Sequence, residues 1–275
     1  MKQDGSIFGW GNDEYGQATP PSGNDYVAIA AGRSHSLALK QDGSIVGWGN
    51  NEDGRATPPP GNDYVAIAAG HSHSLALKQD GSIVGWGSNE DGKATPPPGS
   101  DYVTIAAGSF YSIALKEDGS IVAWGGGDYG QATPPAGNDY VAITAGEWHS
   151  LALKQDGSIV GWGWDNFGQA TPLPGNNCVA IAAGWAHSLV LMQDGSIVGW
   201  GRDNCFQSTR VAGSDNVTAA TDNGSAYVAL KQDGSIVAWG GLGCLQSGYS
   251  PAGQRLCGHC HRLSTFSCLE ARRFH

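Results

Sequence analysis

Four histidines recur at one position of a repeated sequence and are the first residues to test for chemistry. His35, His73, His149 and His187 are each followed by Ser-Leu, and Tyr111 fills the same position in another copy. A catalytic histidine acts once, beside distinct partners that orient it and its substrate. A histidine present in several copies is therefore expected to be structural and hydrogen-bonded within its own blade. No phosphate-binding glycine loop, nucleophile elbow or isolated carboxylate pair accompanies it, so we expect no enzyme activity.

Two other groups have residue types that could bind metal or haem. The Cys-Gly-His-Cys-His run at residues 257–261 has the Cys-x-x-Cys-His spacing of a c-type haem site or half a zinc site, but a second ligand pair is lacking. The Asn-Asn-Glu-Asp-Gly run at residues 50–54 approaches a calcium loop, but other copies keep only part of it. We expect neither a metal nor a cofactor.

The histidines lie within a tandem repeat that covers most of the chain. Its Asp-Gly-Ser-Ile motif is spaced by 38 residues five times and then by 39, beginning at Asp4, Asp42, Asp80, Asp118, Asp156, Asp194 and Asp233. A Trp-Gly pair follows each motif, and the chain contains 43 glycines and 10 tryptophans. Such periodic turns and aromatic residues are typical of bladed all-β folds.

One copy, beginning at Tyr64, is expected to form a four-stranded blade. Residues 64–68 are rich in β-branched and small side chains, and residues 74–78 alternate apolar with polar, as a half-buried strand does. Asp80-Gly81 predicts a type I′ hairpin turn into a third strand at residues 82–87. A short outer strand at residues 93–95 would end at the prolines that follow, because proline suits a sheet edge.

The repeats divide the chain into a β-propeller at residues 1–244 and a tail at residues 245–275. Seven hairpin motifs but six complete strand pairs indicate a seven-blade design whose closing blade is incomplete, with six blades as the alternative. Residues 6–19 would supply the strands that begin the seventh blade. The tail is poorly equipped to finish it, so this blade is expected to be the weak seam of the ring.

The tail is interpreted as a frameshifted remnant of a further repeat. Residues 253–262 and 265–274 can be encoded by codons that, read one base later, restore the strand sequences of the repeat at the correct spacing. On this hypothesis the shift occurred near Gly243, and the cysteines and histidines of the tail are by-products of it.

The net charge restricts the class of partner. With 15 basic and 25 acidic residues the chain carries −10, which repels phosphate backbones and anionic lipid, so we expect neither nucleic acid nor a membrane as partner. No apolar run is long enough for a membrane helix. Residues 1–5 already lie within a repeat rather than a signal peptide, so the compartment stays open, with secretion expected if the start is a truncation. We expect a monomer.

The repeated Ala-Ala-Gly-x-x-His-Ser-Leu-Ala-Leu-Lys, Asp-Gly and Trp-Gly elements resemble the regulator-of-chromosome-condensation repeat over residues 2–240. The Gly-Gln-Ala-Thr-Pro segment at residues 16–20 is similar to a bacterial subtype with shorter repeats, which includes propeller-type inhibitors of β-lactamase. This resemblance implies a protein-binding propeller. Longer-repeat members act on a small GTPase and chromatin, and the basic surface that chromatin requires is missing here.

The binding residues are expected in the two positions after Ala-Ala-Gly, which vary while the framework repeats. These positions join the first two strands of each blade, so all should lie on one face of the ring, and loops on a rigid scaffold commonly determine binding specificity. In the resembling inhibitors, aromatic residues at these positions contact the enzyme. We therefore predict a protein partner, with an inhibited enzyme as one form and carbohydrate binding or a non-functional fragment as alternatives. The predicted contact residues are Arg33, His71, Phe110, Tyr111, Trp148 and Trp185.

Overall fold

The computed structural model describes residues 1–2, 4–202, 215–221, 226–240, 247–249 and 255–257. Six three-stranded antiparallel sheets follow one another along the chain, each with its strands in sequence order. We number them as blades 1 to 6. Their strands are Tyr26–Ala31, His35–Lys40 and Ile45–Gly49; Tyr64–Ala69, His73–Lys78 and Ile83–Gly87; Tyr102–Ala107, Tyr111–Lys116 and Ile121–Gly125; Tyr140–Ala145, His149–Lys154 and Ile159–Gly163; Cys178–Ala183, His187–Met192 and Ile197–Gly201; and Asn216–Thr221, Ala226–Lys231 and Ile236–Gly240. A separate strand pair comprises Ser247–Tyr249 and Arg255–Cys257.

The blades are arranged around an axis lined by their first strands. The first strand of each blade packs on the first strand of the next, from blade 1 through blade 6. Among the described strands, blade 6 does not pack on blade 1 in this way. The architecture is therefore an all-β propeller arrangement of six blades whose ring is not closed, and it matches the six-blade alternative.

The prediction of strands at residues 6–19 is wrong, because the structure has no strand there. By repeat spacing, residues 7–11 correspond to the third strand Ile45–Gly49, which pairs with the second strand of its own blade. No described second strand lies beside residues 7–11, so they have no ladder to join. The segment instead lies between blades 1 and 6, where it lines an apolar cavity of about 140 Å³.

The prediction of a fourth strand at residues 93–95 is also wrong. The segment follows a short 3-10 helix, Glu90–Gly92, and its amides are bonded within the same loop. Lys93 N–H donates to the Glu90 carbonyl, and Ala94 N–H donates to Asn89 Oδ1 at 2.9 Å. The Lys93 carbonyl accepts hydrogen bonds from side chains, so this backbone is not available to a ladder. Each blade therefore has three strands.

The hairpin turns lie where Asp-Gly predicts them, but their type differs from the type I′ expected. Lys40 N–H donates to the Ser44 carbonyl and Gly43 N–H to the Lys40 carbonyl, which places three residues in the loop. Gly43 has φ +81°, whereas Asp42 has no positive φ. The aspartate carboxylate accepts from Ser44 N–H and Ser44 Oγ, at 2.9 and 2.6 Å. This is a type I turn followed by a glycine bulge, which Asp favours by accepting bonds from the following residues.

Apolar side chains from neighbouring blades fill the space between sheets. Leu75 and Leu77 of blade 2 pack with Ala114 and Trp124 of blade 3 in one cluster. Both leucines and the alanine are 4% exposed or less, so the alternating Leu-Ala-Leu pattern buries apolar side chains on both faces of the middle strand. Burial on both faces is possible because each middle strand lies between two other blades.

A buried polar contact also joins each of blades 1 to 4 to the next blade. In blade 1, His35 Nε2 lies 2.9 Å from Ser74 Oγ of blade 2. Ser74 donates its hydroxyl proton to the Arg55 carbonyl at 2.9 Å, so the imidazole must donate to the serine. Trp86 Nε1 donates to the same carbonyl at 2.9 Å. We call this His-Ser-carbonyl-Trp arrangement the interblade node.

The interblade node recurs with one substitution. His73 and Ser112 are 2.9 Å apart, and His149 and Ser188 are 2.8 Å apart. Tyr111 replaces the histidine in blade 3, and its hydroxyl donates to the His149 carbonyl and accepts from Ser150 Oγ, at 2.6 and 2.8 Å. These contacts confirm the expectation that the repeated histidine position is structural, with one difference: its partner lies in the next blade.

Burial keeps the node histidines neutral at pH 7. It is the largest cause that lowers the pKa of His35, His73 and His187 to about 3 and that of His149 to about 4. Because the pKa in the unfolded chain is near 6.5, the unfolded state binds more protons below that pH. The stabilisation present above pH 6.5 is therefore lost as the pH falls from 6.5 toward 3.

Removal of one node serine should destabilise the fold. Ser74→Ala leaves the buried His35 Nε2–H without an acceptor, and an unsatisfied buried donor costs about 1–3 kcal/mol. We expect a loss of that size in the free energy of unfolding from denaturant titration. Ser100→Ala is the matched control, because Ser100 is exposed, and it should change stability by less than about 0.5 kcal/mol. Equal stability of both variants would show that the node contributes nothing.

Replacement of a node histidine by tyrosine should reduce the acid sensitivity. The substitution His73→Tyr copies the Tyr111 arrangement and removes a group that titrates between pH 3 and 6.5. The wild-type chain should lose about 2–4 kcal/mol more than the variant between pH 7 and pH 4, since one shifted histidine contributes about that much. Denaturant titrations at the two pH values measure the difference. Identical losses would mean that His73 is not buried in its neutral form.

Candidate functional site

In each of blades 1 to 5, two loops rise on the same side of the ring, which we call the loop face. One loop joins the first and second strands and contains the two variable positions after Ala-Ala-Gly. The other follows the Trp-Gly pair at the end of the third strand. The two loops are held together by the backbone, as where Trp164 N–H donates to the Trp148 carbonyl at 2.9 Å. Residues from both loops therefore form one surface.

A continuous series of rings crosses this surface from blade 2 to the loop after blade 4. We call it the aromatic row, and its members are His71, Phe110, Trp148, Tyr129, Trp164 and Phe167. Phe110 is stacked between its neighbours, with ring centroids 6.1 Å from His71 and 4.8 Å from Trp148. Tyr129 meets Trp148 edge-on at 5.4 Å and lies 6.3 Å from Trp164. Trp164 meets Phe167 edge-on at 5.4 Å.

Cationic side chains lie against the aromatic row along its length. Lys93 Nζ is 5.5 Å from the centre of the Phe110 ring. The Arg202 guanidinium lies 5.2 Å from the Phe167 ring and 4.6 Å from the Trp185 ring, so it joins these two residues. At the other end, Arg33 Nη1 contacts His71 Nε2.

The structure brings five of the six sequence-predicted contact residues together on the loop face. Phe110 and Trp148 stack directly, whereas Trp185 is connected to the aromatic row through Arg202. Arg33 is exposed, and His71 is partly exposed. Gly224 and Ser225, the corresponding variable pair of blade 6, lie outside the described residues.

Tyr111 is placed differently from this expectation. Its side chain is fully buried, and its hydroxyl is bonded to blade 4 in the interblade node. The position holds a buried histidine in four other blades, so the tyrosine extends inward with them. We therefore leave Tyr111 out of the candidate surface.

Sequence reasoning missed three members of the aromatic row: Tyr129, Trp164 and Phe167. They lie in the loop after Trp-Gly, and Tyr129 and Phe167 are 52% and 44% exposed. Variation within the repeat could have indicated them, because one position holds tyrosine or phenylalanine in some copies and aspartate in others. Only the fold shows that this second loop rises beside the first.

The same loop occurs in two forms, which determine whether an aromatic residue is presented. Where the copy carries glutamine, its side-chain oxygen accepts from the aromatic residue's N–H, as between Gln131 and Tyr129 at 2.9 Å. Where the copy carries arginine or lysine, the corresponding residue is an aspartate with φ 59°, at positions 53 and 91. Copies that carry arginine or lysine in place of the glutamine therefore also carry an aspartate in place of the aromatic residue.

The first variable positions of blades 1 to 4 lie near the axis of the ring. Backbone bonds connect these positions from blade to blade, as where Arg33 N–H donates to the Gly70 carbonyl and Glu147 N–H to the Gly184 carbonyl. Burial raises the pKa of Glu147, while the Arg33 guanidinium and the Ser109 side chain oppose that increase. Arg33 of blade 1 therefore acts electrostatically on a carboxylate of blade 4.

His71 is neutral at pH 7 despite its exposed edge. Burial, then Arg33, Arg55 and Lys93, lower its pKa to about 4. In the described part of the chain, no group of three or more histidine, cysteine, aspartate or glutamate side chains is arranged to hold a metal ion. Among the same residues no helix has the length and apolar character needed to span a bilayer.

The regulator of chromosome condensation (RCC1) repeat model matches the chain five times, at residues 26–55, 64–93, 102–131, 140–169 and 178–207. Together these segments cover more than half of the sequence, and each begins at the first strand of a blade. The chain belongs to the RCC1 repeat family. This confirms the resemblance seen in the repeated motifs. No curated protein sequence matches the chain.

Several solved structures share this RCC1-type propeller fold. The Saccharomyces cerevisiae protein Prp20p is 22% identical, with a TM-score of 0.69 over 87% of this chain and 81% of that chain. The ectodomain of the Physcomitrella patens receptor kinase CR4 is 21% identical, with a TM-score of 0.70 over 96% of this chain and 81% of that chain. The ectodomain of the Arabidopsis thaliana receptor kinase ACR4 is 20% identical, with a TM-score of 0.67 over 83% and 85%. At these identities the likeness concerns the fold.

The electrostatic link between Arg33 and Glu147 gives a test of the loop face. Arg33→Gln removes a cation that lowers the pKa of Glu147, so we expect this pKa to rise further. An NMR titration of the Glu147 side-chain carboxyl measures the change, and Lys78→Gln on the opposite side of the ring is the control. An unchanged Glu147 pKa in the Arg33 variant would contradict the proximity of the two groups.

Proposed function

We propose that this RCC1-repeat protein is a non-catalytic scaffold that binds a protein partner through its loop face. The observation that carries the proposal is the aromatic row, which gathers half-exposed rings from consecutive blades into one surface. Large aromatic side chains and arginine are common anchors of protein interfaces, and the aromatic ones bury much area while losing few rotamers. A monomeric soluble protein rarely exposes such a contiguous apolar patch without a binding role.

The rigidity of the surface supports binding rather than loop closure over a substrate. The framework beneath the loops is fixed by the interblade nodes and by backbone bonds between the two loops of each blade. The rings also support one another, since Phe110 and Trp148 stack at 4.8 Å. A pre-organised surface loses little conformational entropy on binding, which favours affinity for a partner of matching shape.

Carbohydrate binding is the weaker alternative on this geometry. A sugar stacks on a free aromatic face, but Phe110 is already stacked with His71 and with Trp148. Lys93 and Arg202 also occupy positions over rings. These contacts reduce the ring surface on which a sugar could stack.

Solved structures with this fold include complexes with proteins. One is that of Kap60 bound to yeast RCC1 (Prp20), and another report describes the binding of Prp20p to Gsp1p and histones. These neighbours support a protein as the class of partner and leave its identity open. Since the sequence resembles the bacterial subtype that includes β-lactamase inhibitors, an enzyme blocked by the loop face is the form of partner we propose to test first.

Truncation of the aromatic row should abolish partner capture. We expect the Trp148→Ala/Trp185→Ala variant, immobilised and exposed to a bacterial lysate, to lose the proteins that the wild-type chain retains. Each truncated anchor should weaken binding by about 1–4 kcal/mol. Phe8→Ala is the matched control, because Phe8 is exposed outside the loop face and its loss should leave capture unchanged. Near-ultraviolet circular dichroism and thermal melts establish that all variants are folded.

The inhibitor form of the proposal has a direct assay. Hydrolysis of a chromogenic β-lactam by a panel of purified serine β-lactamases is measured with increasing wild-type chain and with the double variant. Inhibition by the wild-type chain alone would support it. Capture without any inhibition would leave the scaffold proposal and remove the β-lactamase form of it. If wild-type and double variant captured the same proteins, or neither captured any, the loop-face proposal would be wrong.

A further inference from the structure

The cations on the described part of the loop face are largely covered. Lys93 is 1% exposed, with its Nζ over the Phe110 ring and 3.9 Å from Glu90. Arg55 is 6% exposed and lies 3.2 Å from Asp53. The Arg202 guanidinium lies against two rings of the loop face. Arg33 is the exposed exception, at one end of the aromatic row.

Apart from Glu147 near the axis, the carboxylates of the described part of this face are exposed. The side chains of Glu52 and Glu90 are 76% and 79% exposed although each pairs with a buried cation, and Asp53 is 51% exposed. The ion pairs thus direct the positive member inward and the negative member outward. Further exposed carboxylates in the corresponding loops of later blades are Asp91, Asp128 and Asp165.

These carboxylates lie next to the aromatic row. A side chain added at Gly126 would meet Asp91 Oδ2 at 3.2 Å and Phe110 Cβ at 3.3 Å, which places this carboxylate beside the stacked rings. Asp128 directly precedes Tyr129, and Asp165 directly follows Trp164. The loop face therefore combines an aromatic centre with an accessible rim of negative charge.

We infer that the partner presents an apolar or aromatic anchor flanked by arginine or lysine side chains. This inference rests on the proposed function and adds the chemistry of the partner. A cation is favoured by the carboxylates of the rim, and it can also lie over an accessible ring face of the aromatic row. Among the described residues, an acidic partner would meet exposed carboxylates in the loops of blades 1 to 4 and Arg33 as the one exposed cation. The rim charges are exposed, so their attraction is screened by salt and raises the association rate more than the final affinity.

Selection from a library of short random peptides displayed on phage tests this inference without assuming a partner. The probe is the library itself, selected on the wild-type chain after depletion on the folded Trp148→Ala/Trp185→Ala variant. Peptides that depend on the loop face should be enriched in arginine or lysine beside an aromatic or large aliphatic residue. Enrichment of acidic peptides, or of apolar peptides without basic residues, would overturn the inference and leave the proposed function standing. Absence of any peptide that depends on the two tryptophans would count against both.

Charge substitutions then locate the attraction. A selected basic peptide, synthesised and measured by stopped-flow fluorescence and calorimetry, should bind Glu52→Gln and Glu90→Gln about 2- to 5-fold more weakly for each residue. Most of that change should lie in the association rate and disappear at high salt. Glu117→Gln is the matched control, because Glu117 is exposed on a hairpin turn at the opposite end of a middle strand. Equal effects of the rim and control substitutions would overturn a specific role of the rim.

Discussion

The hydroxyl of one serine in the middle strand of each of blades 1 to 5 holds together most of what is built around it. Ser74 accepts from the His35 imidazole of the preceding blade and donates to the Arg55 carbonyl, to which the Trp86 indole also donates. An imidazole, a hydroxyl, a backbone carbonyl and an indole from two blades and the loop between them thus form hydrogen bonds at one buried position. Without that serine, a buried imidazole donor would have no acceptor, and burial of an unsatisfied donor is costly. This contact fixes the orientation of the imidazole and holds the carbonyl of the outer loop against the middle strand.

In a framework fixed in this way, the residues that stabilise the blades are different from the loop residues available for recognition. The node binds the histidine Nε2, the serine hydroxyl and the tryptophan indole N–H, so these residue types repeat while the loop residues next to them differ. Phe110 and Trp148 lie directly before the node positions Tyr111 and His149. The node side chains are buried, whereas Phe110 and Trp148 are partly exposed on the loop face. The row of rings is therefore positioned by buried neighbours in the sequence and can differ from blade to blade without disturbing the blade contacts. The loops with arginine or lysine show the same separation, since the cation is buried beside the node and its carboxylate partner is left at the surface.

At the seam between blades 6 and 1, the N-terminal segment makes one of the contacts of the repeat and lacks another. The Gln17 carbonyl of the N-terminal segment accepts from Ser36 and Trp48 of blade 1, so the segment is held by the same kind of node as the other outer loops. Residues 7–11, in contrast, lie where a third strand would lie but have no described partner strand. The carbonyl contact needs one residue, whereas a ladder needs a second strand. This difference explains why the repeat motif extends to residue 4 while the first sheet begins at Tyr26.

The sequence by itself determined the repeat unit, the three strands of each blade and the face on which the variable loops lie, because these follow from local alternation of side chains and from Asp-Gly turns. It also indicated Phe110 and Trp148 as surface neighbours, since equal positions in adjacent repeats must be adjacent in a ring. Only the tertiary structure decided that Tyr111 is buried, that residues 93–95 form no strand and that Tyr129, Trp164 and Phe167 join the aromatic row. Each of these depends on a partner in another blade or loop: the Ser150 hydroxyl for Tyr111, the Trp124 indole for the Lys93 carbonyl, and the Trp148 ring for Tyr129. Such partners are distant along the chain, so the pattern within one repeat carries no record of them.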